Sequence, residues 1–162
     1  MDVTITDRPA LALVGHAAEV PLIHRGVNPH IQAHIASLPS EEHARLKGLN
    51  DTDPAGILAV MADIQPDAPE GSPLTYLHGV AMHAGSAVPD DLDVVRAEAG
   101  TWAVFRSSGP FPDALQSMMA ATATDWFPSN PWRLRPGPSI LRYLDLTQSH
   151  ATCEYWLPIE AA

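Results

Sequence analysis

The chain has 162 residues, enough for one domain with a hydrophobic core and too few for two ordinary domains. Hydrophobic residues make up 46% and charged residues 17%, a balance typical of a folded globular protein. The formal net charge is −10 and the 9 basic residues form no run, so we expect no direct nucleic-acid partner. No segment has the pattern of a membrane span or signal peptide, so we expect a cytoplasmic protein without membrane contact.

Cysteine and histidine usage bounds the metal chemistry. Cys153 is the single cysteine, which excludes an intrachain disulfide and a thiolate-rich metal site. His30 and His34 lie four residues apart on a predicted helix, with His24 upstream. Helical histidine pairs can bind zinc, but the glutamate of the metalloprotease motif is absent between them. We therefore expect no functional metal site and no cofactor.

The first half of the chain is predicted to form strand, helix, strand and strand. Asn28 and Pro29 are typical of a helix start, with Asn28 as the N-cap and Pro29 as the first helical residue. Apolar runs bounded by turn residues indicate the strands. The predicted elements are a strand over 3–19 that bends at Arg8-Pro9, helices over 28–38 and 40–48, and neighbouring paired strands over 56–61 and 74–82.

The second half repeats this order after a boundary over 85–91. Leu115, Met118, Met119 and Trp126 fall on one face of a predicted helix that Pro128 ends. The predicted elements are a bent strand over 94–106 around Gly100, a helix over 112–126, a loop over 129–138, and strands over 140–146 and 151–159.

This internal repeat predicts an α+β fold of two pseudo-symmetric strand-helix-strand-strand units. We expect a single domain over 1–162, with a first repeat over about 1–84 and a second over about 93–162. Two antiparallel half-sheets would be joined or face each other, with the helices on one side. Aligning 74–81 with 152–159 sets Tyr76 opposite Glu154 and His78 opposite Trp156, which would place these side chains in a cleft between the halves.

The last predicted strand carries an unusual carboxylate. Strand alternation puts Glu154 and Trp156 on one face, and Cys153, Tyr155 and Leu157 on the other. A carboxylate among apolar neighbours is costly unless it is paired, hydrogen-bonded or protonated. Two interpretations stay open here: Glu154 faces water on a half-exposed strand, or it faces an organic cation in a pocket with aromatic walls.

Four sequence segments resemble the signature of GyrI-like effector-binding domains, most closely over 95–160. These are the small-molecule domains of AraC-type and MerR-type multidrug regulators, and they also occur as free-standing proteins. The sequence opens on a predicted strand rather than a helix-turn-helix, so we expect a free-standing member. The segments are Gly100-Thr101-Trp102-Ala103-Val104-Phe105 with Gly109-Pro110-Phe111, Asp125-Trp126-Phe127-Pro128-Ser129, Leu141-Arg142-Tyr143-Leu144, and Glu154-Tyr155-Trp156-Leu157-Pro158-Ile159.

The resemblance implies a two-repeat fold with a central groove, in which a carboxylate on the last strand faces lipophilic cations. By motif position that carboxylate is Glu154. The side chains expected to line the groove with it are those of Trp156, Trp102, Tyr143, Tyr76, His78 and Phe111. Trp102 stands where the family often has tyrosine, so the pocket is expected to differ in shape.

Three functions follow as expectations. The first is binding of a lipophilic, cationic or polarised small molecule by a monomer or homodimer. The second, implied by free-standing relatives, is hydrolysis of strained cyclopropane-containing xenobiotics, with Glu154 as the acid–base residue. The third is a protein-binding module that inhibits an enzyme such as DNA gyrase.

Overall fold

A computed structural model describes residues 1–24, 26–65 and 67–162. Its elements follow the predicted order, although several boundaries differ. The strands are β1 (Asp2–Arg8), β2 (Leu11–Pro21), β3 (Leu58–Ala62), β4 (Pro73–His83), β5 (Asp93–Ala97), β6 (Gly100–Pro110), β7 (Trp132–Leu134), β8 (Ser139–Leu146) and β9 (His150–Ala161). The helices are α1 (Pro29–Ala36), α2 (Ser40–Leu49) and α3 (Asp113–Ala121), and α3 continues through a π-helical turn (Thr122–Trp126) and one last turn (Phe127–Ser129).

The strands of the described residues form one antiparallel sheet in the order β1-β6-β9-β8-β3-β4-β2-β5, with β7 added to β9. The order is symmetric. Replacing each strand by its equivalent in the other half, which means exchanging β1 with β5, β2 with β6, β3 with β8 and β4 with β9, gives the same order read from the opposite end. The half-sheets β1-β6-β9-β8 and β3-β4-β2-β5 meet where β3 pairs with β8. The expected α+β fold of two antiparallel half-sheets is confirmed.

The first strand of each half pairs with the sheet of the other half. β1 pairs with β6, and β5 pairs with β2. Two-residue links, 9–10 and 98–99, connect each exchanged strand to the next strand of its own half. The predictions of one bent strand over 3–19 and another over 94–106 are therefore wrong, since each range contains two strands with different partners. The short links bring the outer edges of the half-sheets together, so the inner faces oppose each other.

The helices cover the other face, which we call the outer face. Helix α1 packs Ile31 and Ile35 against Tyr76, and α2 packs Leu46 against Val80. Over the second half-sheet, Leu115 and Met118 of α3 pack against a cluster that includes Phe105, Cys153 and Leu157.

The inner face, between the half-sheets, is a packed apolar cluster built by both halves. Trp102 and Leu13 are completely buried there, and Trp156 is 5% exposed. Because neither half-sheet could bury this face alone, the cluster holds the two halves together. Its buried members are Leu11, Leu13, Leu58, Val60, Leu77, Ala81, Ala97, Trp102, Val104, Ile140 and Trp156.

Local details confirm one boundary and correct two others. The Asn28 side chain accepts hydrogen bonds from the backbone nitrogens of His30 (3.0 Å) and Ile31 (3.4 Å), as an N-cap should. The predicted loop over 129–138 contains β7, because β9 extends beyond its predicted end and offers β7 a partner. The predicted helix over 112–126 is α-helical only as far as Ala121, and the remainder is the π-helical turn.

Candidate functional site

Glu154 lies on the inner face between two arginines. Its neighbours across the strands are Arg106 on β6 and Arg142 on β8. The Oε1 atom accepts hydrogen bonds from Arg142 Nη1 (3.2 Å) and Trp156 Nε1 (3.3 Å). The Glu154 side chain is 19% exposed, and within the described residues its Oε2 atom has no hydrogen-bond partner. The carboxylate is thus paired and oriented through one oxygen, and the other oxygen can accept a further donor.

Two tryptophans form the aromatic part of the site. The rings of Trp102 and Trp156 meet edge to face, with centroids 6.1 Å apart, an arrangement favoured by the ring quadrupoles. The indole nitrogen of Trp156 is used by Glu154, whereas that of Trp102 is buried without a partner in the described part of the chain. Trp156 connects the carboxylate to the apolar interior, and Trp102 lies behind it.

Arginines supply cations to both indoles. The guanidinium carbon of Arg8 lies 5.9 Å from the Trp156 ring centre, and that of Arg135 lies 5.6 Å from the Trp102 ring centre. These distances are within the range of cation–π attraction. Although the chain is acidic overall, positive charge is concentrated beside the tryptophans and Glu154.

An open depression of about 490 Å³ is lined by Arg142, Tyr143, Leu144, Lys47 and residues 55–57. The Nε atom of Arg142 donates to the carbonyl oxygen of Ala55 (2.8 Å), while Nη1 reaches Glu154. The Arg142 guanidinium therefore separates this depression from the carboxylate.

Tyr143 and Phe111 lie on the outer face rather than with Glu154. Their rings are 6.0 Å apart, and Tyr143 is paired with Cys153. A β-bulge at Leu144 explains this placement. Near the turn Leu146 pairs with Ala151 and Asp145 with Thr152, and the same register continued along the strands would pair Tyr143 with Glu154. The extra residue turns Tyr143 outward and brings Arg142 opposite Glu154. Burial raises the pKa of the Cys153 thiol to about 11.

Tyr76 and His78 also lie on the outer face, beneath the helices of the first half. Tyr76 packs edge to face with His34 at 6.0 Å, and desolvation raises the pKa of its phenol. The His78 Nε2 atom is 3.0 Å from His43 Nδ1. Burial, with smaller contributions from neighbouring histidines, lowers the pKa of His78 to about 4. Neither side chain is brought to Glu154.

The register that aligned Tyr76 with Glu154 is wrong by one residue. Leu13 of β2 and Trp102 of β6 are equivalent in the two repeats, and they pair with Ala81 and Pro158 respectively. Counting back four residues from each makes Leu77 the equivalent of Glu154. A shift of one residue moves every side chain to the opposite face of a strand. The inner face thus has an acid on β9 and leucine at the equivalent position of β4, so the two halves are chemically different.

The arginines are the site residues that sequence reasoning missed. Arg142 lies in the segment Leu141-Arg142-Tyr143-Leu144, and opposite charges on neighbouring strands often pair. The bulge that aligns it with Glu154 has no sequence signal of its own. Arg8 precedes Pro9 at the bend, and its proximity to Trp156 depends on the exchange of β1 between the halves.

The histidines do not assemble into a metal centre. In residues 1–24, 26–65 and 67–162 there is no group of three or more His, Cys, Asp or Glu side chains arranged to hold a metal ion. His34 Nε2 instead lies 2.8 Å from the carbonyl oxygen of His16. None of the described helices has the length and hydropathy needed to cross a membrane.

The fold and the site define a class: an α+β protein of two repeats with exchanged first strands, whose opposed faces enclose tryptophans beside a carboxylate. A family model described as the GyrI-like small molecule binding domain matches residues 1–160. The chain belongs to this family, as the sequence segments predicted.

Solved structures share the fold. A structure described as SAV2435 bound to tetraphenylphosphonium is 23% identical, with a TM-score of 0.67 over 99% of this chain and 94% of that one. A putative transcription regulation protein from Staphylococcus aureus MU50 is 22% identical, with a TM-score of 0.64 over 99% of both chains. The C-terminal domain of EcmrR is 16% identical, with a TM-score of 0.63 over 99% of this chain and 98% of that one. No curated protein sequence matches the chain.

Proposed function

We propose that the protein binds a lipophilic organic cation on its inner face, with Glu154 as the counter-charge and Trp156 as the aromatic surface. The observation that carries this proposal is the hydrogen bond between Glu154 Oε1 and Trp156 Nε1. It joins an anion to a ring, which are the two groups that recognise a cation with an apolar body. SAV2435, which shares the fold, was solved bound to such a compound, tetraphenylphosphonium.

The charge arrangement supports an accessible carboxylate. Arg142 neutralises part of the Glu154 charge, and this lowers the cost of burying it. Oε2 remains available to a ligand. In this proposal Trp102 forms the rear wall, whereas Tyr143, Tyr76, His78 and Phe111 act from the outer face as packing residues.

The proposal is tested by titrating the protein with tetraphenylphosphonium and following tryptophan fluorescence or heat. Glu154→Gln should weaken binding by roughly tenfold, since the variant keeps the side-chain shape but loses a partly desolvated charge contact. Glu160→Gln is the matched control: it lies on the same strand, its side chain is 40% exposed, and it changes the net charge equally. Equal affinities for the wild-type protein and both variants would refute the role of Glu154.

A second candidate function, hydrolysis of a strained cyclopropane ring, is favoured by the orientation of the same carboxylate. With Oε1 fixed by two donors, Oε2 could take a proton from water as the water oxygen attacks a ring carbon. The C–C bond would break, with its electrons passing to a conjugated carbonyl of the substrate. Incubation with a cyclopropane-bearing alkylator should give a product heavier by one water in mass spectrometry. Turnover by Glu154→Gln at the wild-type rate would refute this function.

A further inference from the structure

The cation position on Trp156 is already occupied by the protein itself. Arg8, the last residue of β1, pairs with Gly100 at the edge of the second half-sheet. Its guanidinium carbon lies 5.9 Å from the Trp156 ring centre. A ligand cation that used the same face of this ring would meet the Arg8 side chain first.

Arg8 is held weakly in this position. Its Nη2 atom is 3.9 Å from an oxygen of Asp53, whose side chain is 66% exposed, and an ion pair so exposed contributes little. Its Nε atom is buried without an acceptor in the described residues, which is unfavourable for a charged donor. Turning the side chain outward would return Nε to water at the cost of the contact with Trp156.

Arg142 is held more firmly. It donates to the Ala55 carbonyl oxygen at 2.8 Å and to Glu154 at 3.2 Å. Moving Arg142 would break both hydrogen bonds and leave the Glu154 carboxylate without its cation. Moving Arg8 would break no hydrogen bond, because its side chain forms none with the described residues. Of these two arginines, Arg8 is therefore the one that can yield to a ligand.

We propose that Arg8 is a resident cation that occupies the Trp156 face in the free protein and is displaced by the ligand. This inference rests on the proposed function and adds a residue that determines affinity. Because the ligand has to replace a cation, charge alone gives little gain, and binding depends on the apolar body that Arg8 lacks. Arg8 thus lowers the affinity for any cation at this ring face, and a ligand with a large apolar body gains enough contact to offset the displacement.

The test compares Arg8→Met with the wild-type protein in a tetraphenylphosphonium titration. Methionine keeps an unbranched side chain but removes the cation, so affinity should rise about fivefold, the size of a cation–π contact at a partly exposed site. Arg96→Met is the matched control, because Arg96 is exposed on β5 and its loss changes the net charge equally. Arg8→Lys, which keeps a cation, should bind close to the wild-type level.

A readout without ligand accompanies the titration. In ¹H–¹⁵N spectra of the free protein, Arg8→Met should shift the indole N–H signal of Trp156, and Arg96→Met should leave it in place. An unshifted signal overturns the proposal. If the wild-type protein binds tetraphenylphosphonium and Arg8→Met binds it no more tightly, the role of Arg8 is overturned and the proposed function stands. Weaker binding by Arg8→Met would show that Arg8 holds the ligand instead. If neither protein binds, the proposed function and the role of Arg8 both fall.

Discussion

Acidification should destabilise the fold through His78. This side chain is 6% exposed on the outer face, and its Nε2 contacts His43 Nδ1 at 3.0 Å. Burial lowers its pKa from 6.5 to about 4. Below about pH 6.5 the unfolded chain takes up a proton at this residue while the folded chain does not, so stability falls as pH falls from there towards about 4. Above that range His78 makes no pH-dependent contribution.

The size of the effect follows from the two pKa values. Between about pH 7.5 and about pH 5 the unfolding free energy should drop by about 2 kcal/mol from His78 alone, and by about 3 kcal/mol once the pH is below 4. Urea unfolding at both pH values measures this drop. His78→Asn removes the titration, so it should lose most of the pH dependence. His150→Asn, at the exposed first residue of β9, should retain the pH dependence. A His78→Asn variant as pH-sensitive as the wild-type protein would show that another group causes the acid destabilisation.

Three further predictions concern the fold. Gly15→Ala should lower the unfolding free energy by about 2 kcal/mol or more, because its Cβ would lie 2.1 Å from a backbone oxygen; Gly48→Ala, in open space on α2, should not lower it. Asn28→Ala should cost about 1 kcal/mol in urea unfolding through loss of the N-cap, and an unchanged midpoint would contradict this. Cys153 should react with a thiol reagent at neutral pH far more slowly in the folded than in the unfolded protein, and equal rates would contradict its burial and raised pKa.

Sequence reasoning predicted the elements and the family well because their signals are local. The helix start at Asn28 and the hairpin of β8 and β9 depend on residues close together in the chain. The segment Glu154–Ile159 carries both the alternation that places Glu154 beside Trp156 and the resemblance to the GyrI-like family. These features needed no knowledge of distant contacts.

The remaining features depend on long-range pairing. Residues 76–82 of β4 are buried whichever face they point to. No alternation of polar and apolar residues therefore fixes the register of this strand. For that reason the predicted alignment placed Tyr76 and His78 one residue away from their true equivalents. The exchange of β1 and β5 between the halves is likewise unmarked in the sequence. Without that exchange, Arg8 could not be placed against Trp156.

Binding of a lipophilic cation at Glu154 and Trp156 is tested most directly by an experimental structure of the protein with tetraphenylphosphonium. We expect the compound against the ring of Trp156, with its phosphonium within charge contact of Glu154 and the Arg8 side chain turned out to solvent. A compound bound beneath the helices on the outer face, beside Tyr76 and His78 and away from Glu154, would contradict this binding mode.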